Sequence, residues 1–355
     1  MAGIVERDQS LKRESLADLL TVVDRHATPY LSSVKRGTAP RNSLLEWGVD
    51  KHKINLVQEA TYAAGISDKI PQDGVDTTDS DHEAYDLRAK CATYVQYLRR
   101  MPKVSRLANM TSDVAGVGFR KEMAESIAKA LVAHKRDIEA TLCSSQEANL
   151  ETGGGSATPY QTRGLGRWIQ SSAQSVLPVP TAFLTPANSI VSKAASGASA
   201  FAEEDLRGVM QSIYEQTGET DKLFTGLCGT NVKRVISEFT LFSPRTDNIV
   251  TSNRDADNKR LETAIDIIES DFGTIGLKLS SFLEQDARSS GSYDASVGQN
   301  TMFVLNMSQL EVAFAEETSV RELPDLGGGA RSLIESVFAQ KSYSGGVDHG
   351  KILLT

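Results

Sequence analysis

Asp271-Phe272-Gly273 carries the letters of the magnesium-holding triplet of protein kinases. That chemistry needs a glycine-rich phosphate loop, a lysine-bearing strand and an HRD loop upstream, and the chain has none of them. The alternating residues that flank Ser270–Gly273 make the hairpin-turn reading the stronger one. Gly153-Gly154-Gly155 and Gly327-Gly328-Gly329 lack the Lys-Ser/Thr that completes a P-loop, so they read as linkers. The histidines (His26, His52, His82, His134, His349) are scattered, and His134 has no second histidine at i+4, as a zincin helix requires. Asp73, Asp76, Asp79 and Asp81 offer hard-cation ligands, but in no EF-hand order and with no closing glutamate. No serine or threonine sits in a nucleophile elbow. No catalytic, cofactor or metal site is assigned.

The residues with the most to do are charged, and their work would be docking. Asp68–Asp86 holds seven acids and one base, a net of −6, whereas Leu87–Arg106 holds six bases and no acid. A hairpin with an acidic tip and a basic stem carries its own complement, so two copies could join tip to stem. The candidate interface residues are Asp73, Asp76, Asp79 and Asp81 on one side and Arg99, Arg100 and Lys103 on the other. The competing reading is a solvated loop beside a solvated strand.

Several elements must hold such a hairpin. Leu44–Asp50 and the run Tyr85–Val104 read as strands around a long polar connection, of a length that compact domains reserve for function. Next, Phe119, Met123, Ile127, Leu131, Ile138 and Leu142 recur at helical spacing, which predicts a spine helix from 118 to 144, about 40 Å long. Charges at i,i+4 support it: Lys121 with Glu125, Glu125 with Lys129, Lys135 with Glu139. Upstream, Leu16, Leu19, Leu20 and Val23 share a helix face that Thr28-Pro29 interrupts, making an arm that needs a partner to cover it. Downstream, a Gly/Ser/Pro-rich stretch to Ala200 reads as a domain boundary. Helices are then predicted over Glu203–Gln216, stopped by Gly218, and from a Thr230 cap to Phe239. Strands are predicted over 222–228, 261–269, 274–281 and 301–305, with a last pair around Gly345-Gly346.

Composition narrows the class. Forty per cent apolar and 24% charged residues is ordinary for a soluble globular chain. No apolar run reaches the ~18 residues of a membrane span, and the N-terminus lacks the apolar core of a secretory signal. Three distant cysteines suit a reducing cytosol. A net charge of −8 argues against a surface built to grip nucleic acid, though not against a container for it.

The order of these parts resembles the tailed-bacteriophage major capsid proteins of the Hong Kong 97 (HK-97) fold, in their podovirus-type subgroup. The resemblance rests on ATPYLSSVKRGTAPRNSLLEWGVDKH (27–52), AHKRDIEATLC (133–143), QTRGLGRWI (161–169), ISEF (236–239), TAIDIIESDFGTIGLKLS (263–280) and DHGKILLT (348–355). It implies an α+β fold with an N-terminal arm (1–45), an extended E-loop and flanking strands (46–105) and a peripheral domain with the spine helix (106–174). An axial domain (175–300) and return strands of the peripheral domain (301–355) would follow. It also implies hexamers and pentamers of an icosahedral shell around double-stranded DNA, located in the virion and assembled in the host bacterial cytoplasm. Scaffold, portal and decoration proteins would be further partners, with no membrane and no catalysis. No lysine and asparagine match the family's autocatalytic cross-link, so interwoven arms and loops are expected to hold the shell. The rival readings are a nanocompartment shell of the same fold that loads protein cargo, and a cytosolic enzyme.

Overall fold

Two β-sheets share the C-terminal part of the chain. The computed structural model describes residues 27–50, 88–111, 122–153, 158–197, 200–218, 222–239, 254–255, 260–261, 266–284 and 295–355. In chain order the helices are α1 (Pro29–Ser33), α2 (Arg106–Thr111), α3 (Glu122–Leu142), α4 (Leu165–Trp168), α5 (Glu203–Thr217), α6 (Thr230–Glu238) and α7 (Ala295–Gln299). The strands are β1 (Lys35–Gly37), β2 (Leu44–Val49), β3 (Ala89–Tyr94), β4 (Gln96–Arg100), β5 (Ile190–Lys193), β6 (Leu223–Cys228), β7 (Arg254–Asp255) and β8 (Arg260–Leu261). They continue with β9 (Ile267–Ser270), β10 (Gly273–Leu279), β11 (Thr301–Leu305), β12 (Leu310–Leu323), β13 (Arg331–Ser342) and β14 (Gly350–Leu354). One sheet runs β1-β12-β13-β4 and the other β5-β14-β11-β6-β10-β9, while β2 pairs with β3 and β7 with β8.

Alternation along the central strands assigns their side chains to two cores. In β11, Met302 and Val304 join a cluster with Leu206, Met210 and Ile213 of α5 and Val232 and Ile236 of α6. Phe303 and Leu305 point the other way, into a cluster with Tyr30, Ile138, Leu142, Trp168 and Phe338. A strand buried on both faces has no polar position to spare, which is why Thr301–Leu305 reads as a continuous apolar run.

Local signals set the helix ends. Asp205 reaches back to accept the N–H of Ala202 at 3.0 Å, and the acids Glu203, Glu204 and Asp205 occupy the first turn of α5. Gly218 ends that helix with φ 68, where its N–H returns to the Tyr214 carbonyl. Thr230, expected as the cap of the next helix, is instead its first residue, and Gly229 is the cap. A Cβ at 229 would lie 2.2 Å from the Gly298 carbonyl oxygen, so the close passage of α7 demands glycine there.

Other expectations are corrected. The run 85–104, read as one strand, breaks at Val95: β3 pairs with β2, whereas β4 pairs with β13 in another sheet. The pair expected around Gly345-Gly346 is no hairpin, because β13 lies against β12 and β14 against β11 and β5. Residues 301–355 therefore serve both sheets, β11 and β14 in the six-stranded one and β12 and β13 in the four-stranded one. The spine helix α3 spans Glu122–Leu142, about 30 Å, with residues 112–121 outside the described residues. Glu125–Lys129 forms at 3.5 Å, but Lys135 does not take Glu139, which is buried for another purpose. Within the stretch after α3, Leu165, Trp168 and Ile169 pack into the core. Fully buried Arg163 bonds Glu147 and the carbonyls of Val176 and Leu177, and lies over the Trp168 ring at 4.6 Å.

Candidate assembly surface

The 37 residues between Asp50 and Arg88, which include Asp73, Asp76, Asp79 and Asp81, lie outside the described residues. The root they start from and return to is described in full. Trp47 and Cys91 face each other across β2 and β3 on the buried side. The Trp47 ring packs on Trp168 at 5.6 Å between centroids, and its indole N–H donates to the Ser342 carbonyl at 3.1 Å. On the solvent side Arg88 bonds Asp50 at 3.2 Å and Lys90 approaches Glu46 at 3.9 Å. Two of the six stem bases are thus matched within the stem itself.

Arg99, Arg100 and Lys103 separate into two kinds. Arg100 leaves the stem for the spine helix, where its Nε donates to Asp137 at 2.6 Å. Arg99 is exposed on the edge strand β4, and Lys103 is exposed where it bridges to Arg331 beside Gly328. Neither makes an ion pair among the described residues. Around them stand the exposed apolar side chains Met101, Leu107 and Met110. The turn between β12 and β13 completes this end of the molecule. There Asp325 Oδ1 accepts the N–H groups of Gly327, Gly328 and Gly329 at 2.8, 3.1 and 3.1 Å. Those bonds, aided by nearby Arg106, hold its carboxyl below the usual carboxylate range. The glycine triplet read as a linker is a loop organised around one acid.

The arm enters at a second fixed point. Glu139 on α3 accepts the N–H of Tyr30 at 2.8 Å and of Leu31 at 2.7 Å, satisfying donors at the start of α1. Burial pushes this carboxyl up to about 7 although both backbone bonds oppose the shift. Sequence reasoning missed it, since a glutamate at i+4 from a lysine looks like a solvated pair. His134, one turn earlier, bonds Ser336 of β13 at 2.7 Å and so ties α3 to the four-stranded sheet.

Among the described residues no three His, Cys, Asp or Glu side chains gather where a metal could sit. The three cysteines are free and buried, and burial pushes the thiols of Cys91 and Cys228 up to about 11 and about 12, away from nucleophilic thiolate.

The fold recurs in solved capsids. A cyanophage A-1(L) capsid subunit is 12% identical, with each chain covered over 99% and a TM-score of 0.59. The capsid of Myoviridae phage XM1 is 10% identical, covering 100% of this chain and 99% of its own, with a TM-score of 0.56. Mycobacterium phage Bobi gives 12% identity, 100% and 99% coverage, and a TM-score of 0.54. No curated protein matches the chain by sequence. The model of the SU10 major capsid protein family matches residues 4–336, nearly the whole chain, so this protein belongs to that family and is a tailed-phage major capsid protein with an HK97-type fold.

Proposed function

We propose that copies of this chain assemble as hexamers and pentamers into an icosahedral shell around double-stranded DNA, using the β2–β3 excursion of one subunit on the Arg99–Lys103 surface of the next. The observation that carries this reading is the rigid root. Trp47 is clamped between Trp168 and Ser342, so the β2–β3 pair at which residues 51–87 begin and end is anchored to the body. The acidic stretch of the excursion would meet Arg99 and Lys103, which are exposed and make no ion pair among the described residues, whereas Arg106, also exposed, stands near Asp325. The protein acts in the virion as a structural subunit, assembled in the host cytoplasm with scaffold and portal proteins, without catalysis or cofactor. A net charge of −8 keeps the shell from adhering to packaged DNA through phosphate contacts.

The test reverses the free charges only. Arg99→Glu with Lys103→Glu should stop or slow shell formation, seen by negative-stain microscopy, while the circular dichroism of the subunit is unchanged. Adding Asp76→Lys, Asp79→Lys and Asp81→Lys should restore assembly. Arg100 is left alone, because its reversal would break the Asp137 pair and confuse folding with docking. Normal shells from the double variant would refute the docking contact.

A further inference from the structure

We infer that the amphipathic N-terminal segment, residues 10–26, docks in cis over a bare face of the six-stranded sheet in its own subunit. This deepens the assembly reading above, because it assigns the arm to its own subunit and leaves the excursion to join neighbours.

The bare face follows from strand parity. Phe224, Ile275 and Ile268 point toward α5 and α6. Their neighbours Leu223, Thr225, Thr274, Gly276 and Ile267 therefore point to the opposite side. Across the sheet, the register sets Leu305, Thr225, Gly276 and Ile267 in one row. That row starts fully buried in the core at Leu305 and ends at Ile267, which is 63% exposed, while Leu223 in the adjacent row is 73% exposed. The core cluster on this side stops part-way across the sheet, covering β11 and the end of β6 but not the β10–β9 edge. Among the described residues nothing stands before Gly276: a Cβ there would meet no atom nearer than 4.0 Å.

The occupant is named by where the arm enters. Lys278, on this same face of β10, donates to Ser33 Oγ at 2.7 Å, so the C-terminal end of α1 is fastened beside the bare rows. Ala27 thus lies within about 13 Å of Ser33, four residues of helix rise and two of extended chain. The chain N-terminal to it carries Leu16, Leu19, Leu20 and Val23 on one helical face. The stripe Leu16–Val23 would be about 10 Å long as helix. The diagonal from Leu223 to Ile267, two strands and two residues, is about 12 Å. Length and point of entry agree, and the two exposed apolar side chains Leu223 and Ile267 at the ends of the diagonal match the apolar stripe.

Cross-linking decides it. The native cysteines are buried, so Leu20→Cys with Ile267→Cys gives a clean pair for a short bis-maleimide. In dilute free subunit the product should be an intrachain link, faster-migrating and monomeric, and the same link should dominate in assembled shells. Links only between differently tagged chains would assign the face to a neighbour's arm, and no link in either state would leave the face to another occupant; either overturns the proposal. Gly276→Phe fills the face where the backbone has room for a side chain, so the sheet should fold. It should suppress the link at least tenfold and expose residues 10–26 to protease; unchanged linking and protection would also refute the docking. Shell formation is scored separately, so failure of the arm proposal and failure of the capsid contact give different results.

Discussion

Two buried titrating groups make opposite demands on pH, and removing each in turn should expose the other. His349 sits fully buried in the crossing between β13 and β14. Asn306 N–H donates to its Nδ1 at 3.3 Å, and its Nε2 faces Ser342 Oγ at 3.2 Å, while that hydroxyl donates to the Gly345 carbonyl. The chain of donors has one direction, so the ring is neutral with its proton on Nε2. A second proton would break the Asn306 bond and bury a cation near Lys222, and Asp348 compensates only in part. The ring is accordingly lowered to about 4 by desolvation. Between pH 6.5 and 4 the unfolded chain binds this proton and the native one does not, so stability falls as pH falls, by about 3 kcal/mol across the window.

Glu139 works in the other direction. Its carboxyl is raised to about 7 by burial, with Tyr30 and Cys143 as its titratable neighbours. Between pH 7 and 4.5 the native state takes the proton first, so stability rises as pH falls, again by about 3 kcal/mol. The wild-type profile should therefore be nearly flat from pH 7 to 5. Glu139→Gln leaves the histidine alone, and urea-unfolding free energy should drop by about 2 kcal/mol over that range. His349→Asn keeps an acceptor for Asn306 and leaves the carboxyl alone, so stability should rise by about 2 kcal/mol from pH 7 to 5. Groups common to all three proteins cancel in the differences. Three parallel profiles would show that neither group carries its shift, and would sink the argument.

Two further outcomes are expected. Trp47→Ala removes the ring from Trp168 and the bond to Ser342, and should cost about 2–4 kcal/mol in urea unfolding, with Trp47→Phe recovering the packing but not the hydrogen bond. Asp325→Ala should speed amide exchange at Gly327, Gly328 and Gly329 several-fold without changing exchange in β13, because one carboxylate oxygen organises all three.

What was legible in the sequence was local. The α5 stop at Gly218, the Asp271–Gly273 turn between β9 and β10 and the doubly buried Thr301–Leu305 each announce themselves within a few residues. The longest strand, β12, does not. Its exposed half, EETSVREL, pairs only with β13 and has bulges between Phe314, Glu316 and Ser319, so no period of two survives to be read. Glu139 reads as a solvated partner of Lys135 and Arg163 carries no signal of its own, because their partners are carbonyls and amides brought in by folding, which side-chain spacing does not encode. The stem was read correctly as basic, yet the fate of Arg100 depended on Asp137, a residue on a separate element.

That last point changes the physics of the proposed contact. Counted along the chain, six bases would face a net of −6, and the attraction would look dominant. In the fold Arg88, Lys90 and Arg100 are matched within the subunit, and Arg106 stands near Asp325, so Arg99 and Lys103 are what remains for a neighbour. Exposed pairs contribute about 0–1 kcal/mol each, so two of them cannot hold a shell contact closed. The exposed Met101, Leu107 and Met110 beside them can contribute more, at about 25 cal/mol per Å² of apolar surface removed from water. Charge at this surface then selects the partner and hastens its approach, while apolar burial keeps it there. Salt that screens beyond about 8 Å would slow assembly without dissolving shells already formed.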